Sequence, residues 1–254
     1  MPLALIGLAS STLYSFTTPK QNRNWTTEHA LLPTIQIDKE SLNPSISIEN
    51  IRDFQWERVN QTINHNPHYK KMQFQLENIV ELKAVVSHFS PISDIAHVFL
   101  IFILDNGREL GVSIEARREK GEAFSIQGGL LAQFEIIYLL ATPEDLLGIR
   151  KLNNEAIHIY PIKETKKKAQ ELFLLIANEI NALNETPHLY HLFFKNCTNQ
   201  LVKHVSTLTQ QQYPWFFQTF APGKTGEILY DLDLIDLPSM NFEEVQTNTL
   251  VRKL

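Results

Sequence analysis

A chain of 254 residues, 43% hydrophobic and 20% charged, can bury one sizeable core, with or without an appended subdomain. Its 28 acidic side chains outnumber the 23 basic ones, and a net charge of -5 argues against nucleic acid as the main partner, because phosphate binding needs a basic surface. A single cysteine excludes an internal disulfide and a cysteine-rich zinc site, and it leaves the redox compartment unread.

The first apolar run, Leu3 to Phe16, is too short to span a bilayer unaided and lacks a preceding basic segment. It reads as the remnant of a signal peptide or membrane anchor over residues 1–18, which would allow N-terminal membrane association. Pro19 to Ser45 is polar and turn-rich, apart from a short apolar stretch at Leu31 to Ile37. Ile46 to Ile51 alternates and predicts a strand, and a second alternation lies around Leu76 to Val86. The clearest hairpin follows: an aromatic and β-branched run from His97 to Leu104, the turn Asp105-Asn106-Gly107, then alternation from Arg108 to Glu115. Further strands are expected at Phe134 to Leu140, after the Gly128-Gly129 break, and at Ala156 to Tyr160, stopped by Pro161.

The pattern then changes period. Between Glu164 and Leu183 the residues Leu172, Phe173, Ile176, Ile180 and Leu183 share one helical face. Lys166, Lys167 and Lys168 near its start read as a solvated face. A second helix is expected to begin just after Cys197 and to run through Leu201 and Val205. Trp215, Phe216, Phe217 and Phe220 follow among turn signals, before a polar end. The expected fold class is α+β, a mainly antiparallel sheet with packed helices.

Cys197 stands out chemically. Asn196 is a good N-cap residue, so the cysteine would occupy the first turn of its helix, where unpaired N–H groups and the dipole favour a thiolate. An isolated cysteine is also among the residues most often buried without a task. A thiol nucleophile needs a base, and nine histidines are present. His29, His65, His68, His158 and His188 sit in polar or turn-like stretches, while His191 and His204 flank the cysteine without an evident orienting partner. His88 and His97 lie near strand ends, and only His97 has a hairpin to supply one.

A three-residue turn at Asp105-Asn106-Gly107 would pair Leu104 with Arg108 and set His97 opposite Glu115. A carboxylate there would hold the imidazole tautomer, as in a Cys-His-acid arrangement. A two-residue turn would instead shift the register and put Glu115 opposite Val98. Arg117 and Arg118 follow directly and could bind a phosphate or carboxylate, although an ion-pair cluster with neighbouring glutamates explains them as well.

Several segments together resemble the Lnb-type N-terminal periplasmic domain family in order and spacing. They are Ile51 to Phe54, Ala96 to Leu100, Ser113 to Glu122, Gln133 to Tyr138, Ile159 to Pro161, and Asn196-Cys197-Thr198. The Ser-Ile-Glu-Ala-Arg-Arg-Glu block is the most specific of these. The likeness covers residues 22–206, leaving 207–254 as a C-terminal extension on the same domain. It implies a circularly permuted papain-like core, related to lecithin:retinol acyltransferase-like and NlpC-like enzymes, with histidine before cysteine in the chain. It also implies Cys197 as nucleophile and His97 as its base, with Glu115, Arg117, Arg118 and Asn196 beside the site. Family members often read Asn-Asn-Cys where this chain has Lys195-Asn196-Cys197, and tend to carry Asn where His191 stands.

The resulting expectation is a cell-envelope enzyme without cofactor or metal, acting on a lipid-linked or lipoprotein-type ester through a thioester. The alternatives are an NlpC-like amidase or peptidase, and a non-catalytic envelope domain. An apolar groove would favour acyl chains and a polar cleft peptides; a sulfur sealed in the core would leave only binding.

Overall fold

The computed structural model describes residues 18–38, 40–209 and 221–251. The Leu3–Phe16 run and Trp215, Phe216, Phe217 and Phe220 lie outside them. In chain order the elements are β1 (Thr34–Ile37), β2 (Ser45–Arg52), β3 (Gln55–Val59), β4 (Thr62–Asn66), β5 (Tyr69–Gln75), β6 (Ile79–His88), β7 (His97–Leu104) and β8 (Glu109–Arg117). They continue with α1 (Ile126–Leu130), β9 (Glu135–Ala141), α2 (Pro143–Leu152), β10 (Ala156–Pro161), α3 (Lys166–Glu185), α4 (Cys197–Thr209), α5 (Thr225–Asp231) and α6 (Phe242–Thr249).

The main sheet runs β1-β2-β9-β8-β7-β6-β10, with β5 also on β2. Its pairings are antiparallel except β2 with β9, which meet in parallel at Arg52 and Ala141. β3 and β4 form a separate hairpin. The α+β class and the predominantly antiparallel sheet therefore agree with the sequence reading.

The β7–β8 turn decides the register at the site. The Leu104 N–H donates to the Arg108 carbonyl at 2.8 Å, and the Gly107 N–H donates to the Leu104 carbonyl at 2.9 Å. Three residues close the loop, and Gly107 takes the positive φ of 79° that this geometry needs. The ladder pairs Ile103 with Glu109 and runs to Phe99 opposite Ser113. Extending it by one period-two step sets His97 against Glu115, the first of the two registers considered.

Both faces of the sheet are covered. On one, α3 buries Leu172, Phe173, Ile176 and Ile180, with Phe173 set edge-on to Phe74 and Phe102. Thr165 caps that helix, its hydroxyl accepting from the Lys168 N–H at 3.3 Å. On the other face a smaller cluster of Val85, Phe99, Ile101, Ala141, Ile157 and Leu146 seats α2. That helix approaches β8 so closely that a Cβ on Gly111 would meet Leu146 Cδ1 at 2.5 Å.

Helix α2 was missed by the hydrophobic periodicity, yet its end signals are legible. Thr142 caps it, Pro143 opens it, acids fill its first turn and Arg150 and Lys151 its last. The β3–β4 hairpin and the short helices α5 and α6 were likewise not anticipated.

Candidate functional site

Cys197 sits where the local sequence predicts, in the first turn of α4. The Asn196 side chain accepts from the Asn199 N–H at 2.8 Å, and the Asn199 side chain accepts from the Asn196 N–H at 2.8 Å. This reciprocal cap satisfies two backbone donors at once. The same two amides reach back to the carbonyls of Leu192 at 2.6 Å and Phe193 at 3.1 Å, tying the preceding loop to the helix. Asn196 thus positions the cysteine.

Leu104 exchanges its backbone bond with β8, so Val98, three period-two steps along, also turns its N–H toward β8. The ladder has ended at Phe99, which leaves this N–H free of β8 on the side of the Cys197 sulfur, where it favours the ionised form. Thr198 Oγ1 lies 3.7 Å from the same sulfur. The thiol is therefore seated where β7 and β8 part, one residue from His97. Cys197 is 8% exposed and lines a cavity of about 800 Å³, whose wall also includes His97, Glu115, Arg118 and Asn196.

The imidazole is held by a relay. The Ser113 hydroxyl donates to Glu115 Oε1 at 2.9 Å and lies 2.7 Å from His97 Nε2. A hydroxyl has one proton, so with its O–H directed at the carboxylate its oxygen accepts from Nε2–H. The proton on Nε2 leaves Nδ1 as the basic nitrogen. His97 Nε2 is also 3.9 Å from Glu115 Oε1, too long for a direct bond.

Glu115 gathers further donors. The Arg118 N–H donates to His29 Nδ1 at 3.0 Å, so His29 carries its proton on Nε2, which faces Glu115 Oε2 at 3.4 Å. Arg150 Nη2 stands 3.5 Å from Oε1. Burial alone would raise this carboxyl, but His29, Arg150, His97 and Arg52 outweigh it and hold it well below the usual carboxylate range. Burial, helped by the Arg150 charge and opposed by Glu115, pushes His97 down to about 4. Its imidazole is neutral at neutral pH and can accept a proton.

The expected thiolate is corrected by these surroundings. Burial pushes the Cys197 thiol up, against the Val98 N–H and the hydroxyl and N–H of Thr198. The resting pair is a neutral thiol and a neutral imidazole, because desolvation outweighs the helix start.

Arg117 is not brought to the cavity. Its guanidinium is buried over the Trp25 ring at 4.0 Å, donates to the His29 carbonyl at 3.1 Å and lies 3.9 Å from Glu135. Burial lowers it to about 10, against the pull of Glu135. Conversely, Ser113, His29 and Arg150 belong to the cluster without having been singled out in the sequence. Ser113 was recoverable, since the three-residue turn puts it on the same sheet face as His97 and Glu115. His29 had no local signal. Its burial against Glu115 joins residues 86 positions apart.

The fold is thus a mostly antiparallel α+β domain in which a helix-start cysteine and a strand histidine line one cavity. The chain belongs to the Lnb N-terminal periplasmic domain family, whose model matches residues 65–223, more than half of its length. It is a periplasmic domain, and among the described residues no helix is long and apolar enough to cross a membrane. No curated protein and no solved structure matches the chain. No cluster of His, Cys, Asp and Glu that could hold a metal ion occurs among the described residues.

Proposed function

We propose that this domain is a thiol-dependent acyltransferase or acyl hydrolase acting on a lipid-linked ester, built on a circularly permuted papain-like core. The observation that carries the reading is the shared cavity. Cys197 and His97, the latter with Ser113 and Glu115 behind it, line the same space. Histidine precedes cysteine in the chain, as the permuted order requires.

The chemistry follows from the protonation states. His97 Nδ1 takes the thiol proton as Sγ attacks the ester carbonyl, forming a C–S bond and a tetrahedral oxyanion. Backbone N–H groups in the first turn of α4 stabilise that oxyanion. Collapse breaks the C–O bond, and the departing alkoxide takes the proton from His97. The acyl thioester is then cleaved by an amine or by water, returning the proton to sulfur. Glu115 stays ionised throughout and steadies the imidazolium through Ser113.

The wall favours an acyl chain over a peptide. Phe89, Ile95, Phe124, Ile149, Leu192 and Phe193 line the space beside the thiol. An activated ester, p-nitrophenyl decanoate, is expected to leave a decanoyl adduct on Cys197 by intact mass, none on Cys197→Ala, and at least tenfold slower on His97→Ala. Equal labelling of wild type and His97→Ala would remove the base, and an adduct elsewhere would remove the nucleophile.

A further inference from the structure

Among the arginines at this end of the sheet, Arg23, Arg52, Arg117 and Arg150 are each matched to a carboxylate, Arg23 to Glu119 at 2.8 Å. Arg52 grips Asp145 with two bonds, of 2.9 and 2.8 Å. Arg117 faces Glu135 at 3.9 Å and Arg150 faces Glu115 at 3.5 Å. Arg118 is the exception. Its backbone is fixed, the N–H bonded to His29 and the carbonyl accepting from the Thr26 N–H at 3.0 Å. The half-buried side chain has no hydrogen bond or ion pair among the described residues.

Nearby carboxylates are already engaged. Glu119 pairs with Arg23 at 2.8 Å, Glu122 accepts from the Glu119 N–H at 2.8 Å, and Glu28 lies 3.9 Å from His65. A guanidinium partly withdrawn from water and left without an anion is an unmatched charge. Arg118 nevertheless lines the cavity that carries the apolar wall of Phe89, Phe124, Leu192 and Phe193. One compartment therefore offers a cation and a hydrocarbon surface.

We propose that Arg118 anchors the anionic headgroup of an amphiphile whose chain lies along that apolar wall, so that this cavity selects acyl substrates bearing a phosphate or carboxylate. The inference rests on the acyl-transfer reading for its substrate, but its test requires no chemistry at sulfur. A planar guanidinium can grip either anion with two parallel bonds.

The full chain carrying Cys197→Ala is titrated by calorimetry with decyl phosphate below its micellar concentration, with decanol, and with inorganic phosphate. Decyl phosphate is expected to bind roughly tenfold more tightly than decanol, the scale of a charge-assisted hydrogen bond. Inorganic phosphate is expected to bind at least tenfold more weakly than decyl phosphate. Adding Arg118→Gln should bring decyl phosphate to the decanol level and leave decanol binding unchanged, which also reports an intact fold. Arg118→Lys should keep most of the preference. An unchanged preference in Arg118→Gln, equal binding of inorganic and decyl phosphate, or no binding of either amphiphile would each overturn the proposal. Failure of thioester formation at Cys197 would sink the catalytic reading and leave these binding results standing.

Discussion

His97 Nε2 and Ser113 Oγ stand 2.7 Å apart, and the same hydroxyl donates a hydrogen bond to Glu115 Oε1. Replacing Ser113 with alanine removes the link while adding no bulk at a fully buried position. The variant should fold, and thioester formation should fall by roughly a hundredfold, since an unoriented imidazole is a poor general base. Rates with p-nitrophenyl decanoate measure this. A rate within twofold of wild type would show that the hydroxyl does not orient the base.

The thiol itself gives a second handle. Burial raises Cys197 above its ordinary value, while His97 is neutral above about 4. Alkylation of Cys197 by iodoacetamide should therefore be slow at pH 7 and climb with pH toward and beyond the ordinary thiol range. A preformed thiolate–imidazolium pair would instead give fast labelling on a plateau through neutral pH. Observation of that plateau would contradict the neutral resting pair.

Asp145 tests how the site is braced. It accepts two bonds from Arg52, one from the Phe54 N–H at 2.8 Å and one from Trp56 Nε1 at 3.0 Å, all at the start of the helix that carries Arg150. Asp145→Ala leaves the buried Arg52 charge unmatched and should cost about 3–5 kcal/mol, read from the urea midpoint. The Arg52→Met, Asp145→Ala double variant should cost less than the sum of the single changes. Additive losses would mean that the pair is not coupled.

Acid should destabilise the fold well before the carboxylates titrate. His97 is lowered to about 4, and burial also lowers His29, His88, His158 and His204. Unfolded histidines titrate near about 6.5, so below that value the unfolded chain binds more protons than the folded one. Stability is thus fully present above about 6.5 and declines as pH falls toward 4. Glu115, held low, adds to the loss below its unfolded value, whereas Glu135, raised by burial, opposes it. The melting temperature should drop between pH 7 and pH 5. A constant value across that interval would show that these imidazoles are not held neutral by the fold.

Much of the site's scaffold was legible in the chain. The β7–β8 hairpin was legible with two registers open; the three-residue loop found in the structure chooses between them and aligns His97, Ser113 and Glu115, because side chains alternate faces with a period of two. Asn196 announced the start of α4 through its capping chemistry. The signals opening α2 were present at Thr142 and Pro143, although the helix was not read from them. His29 and Arg150 were not legible as partners of Glu115, since their contacts join elements far apart in sequence and no local pattern encodes them.

Local rules thus determined from sequence alone the hairpin, the cap, the order of histidine before cysteine and the resemblance to the periplasmic family. Tertiary packing decided the charge state of the thiol, the fate of each arginine and the identity of the groups around Glu115. The physical reason is range. Turn closure and capping act within a few residues, whereas desolvation and ion pairing depend on which distant segments cover a group, so burial could overrule the helix start at Cys197 and leave Arg118 without a carboxylate among the described residues while seating Arg117 on one.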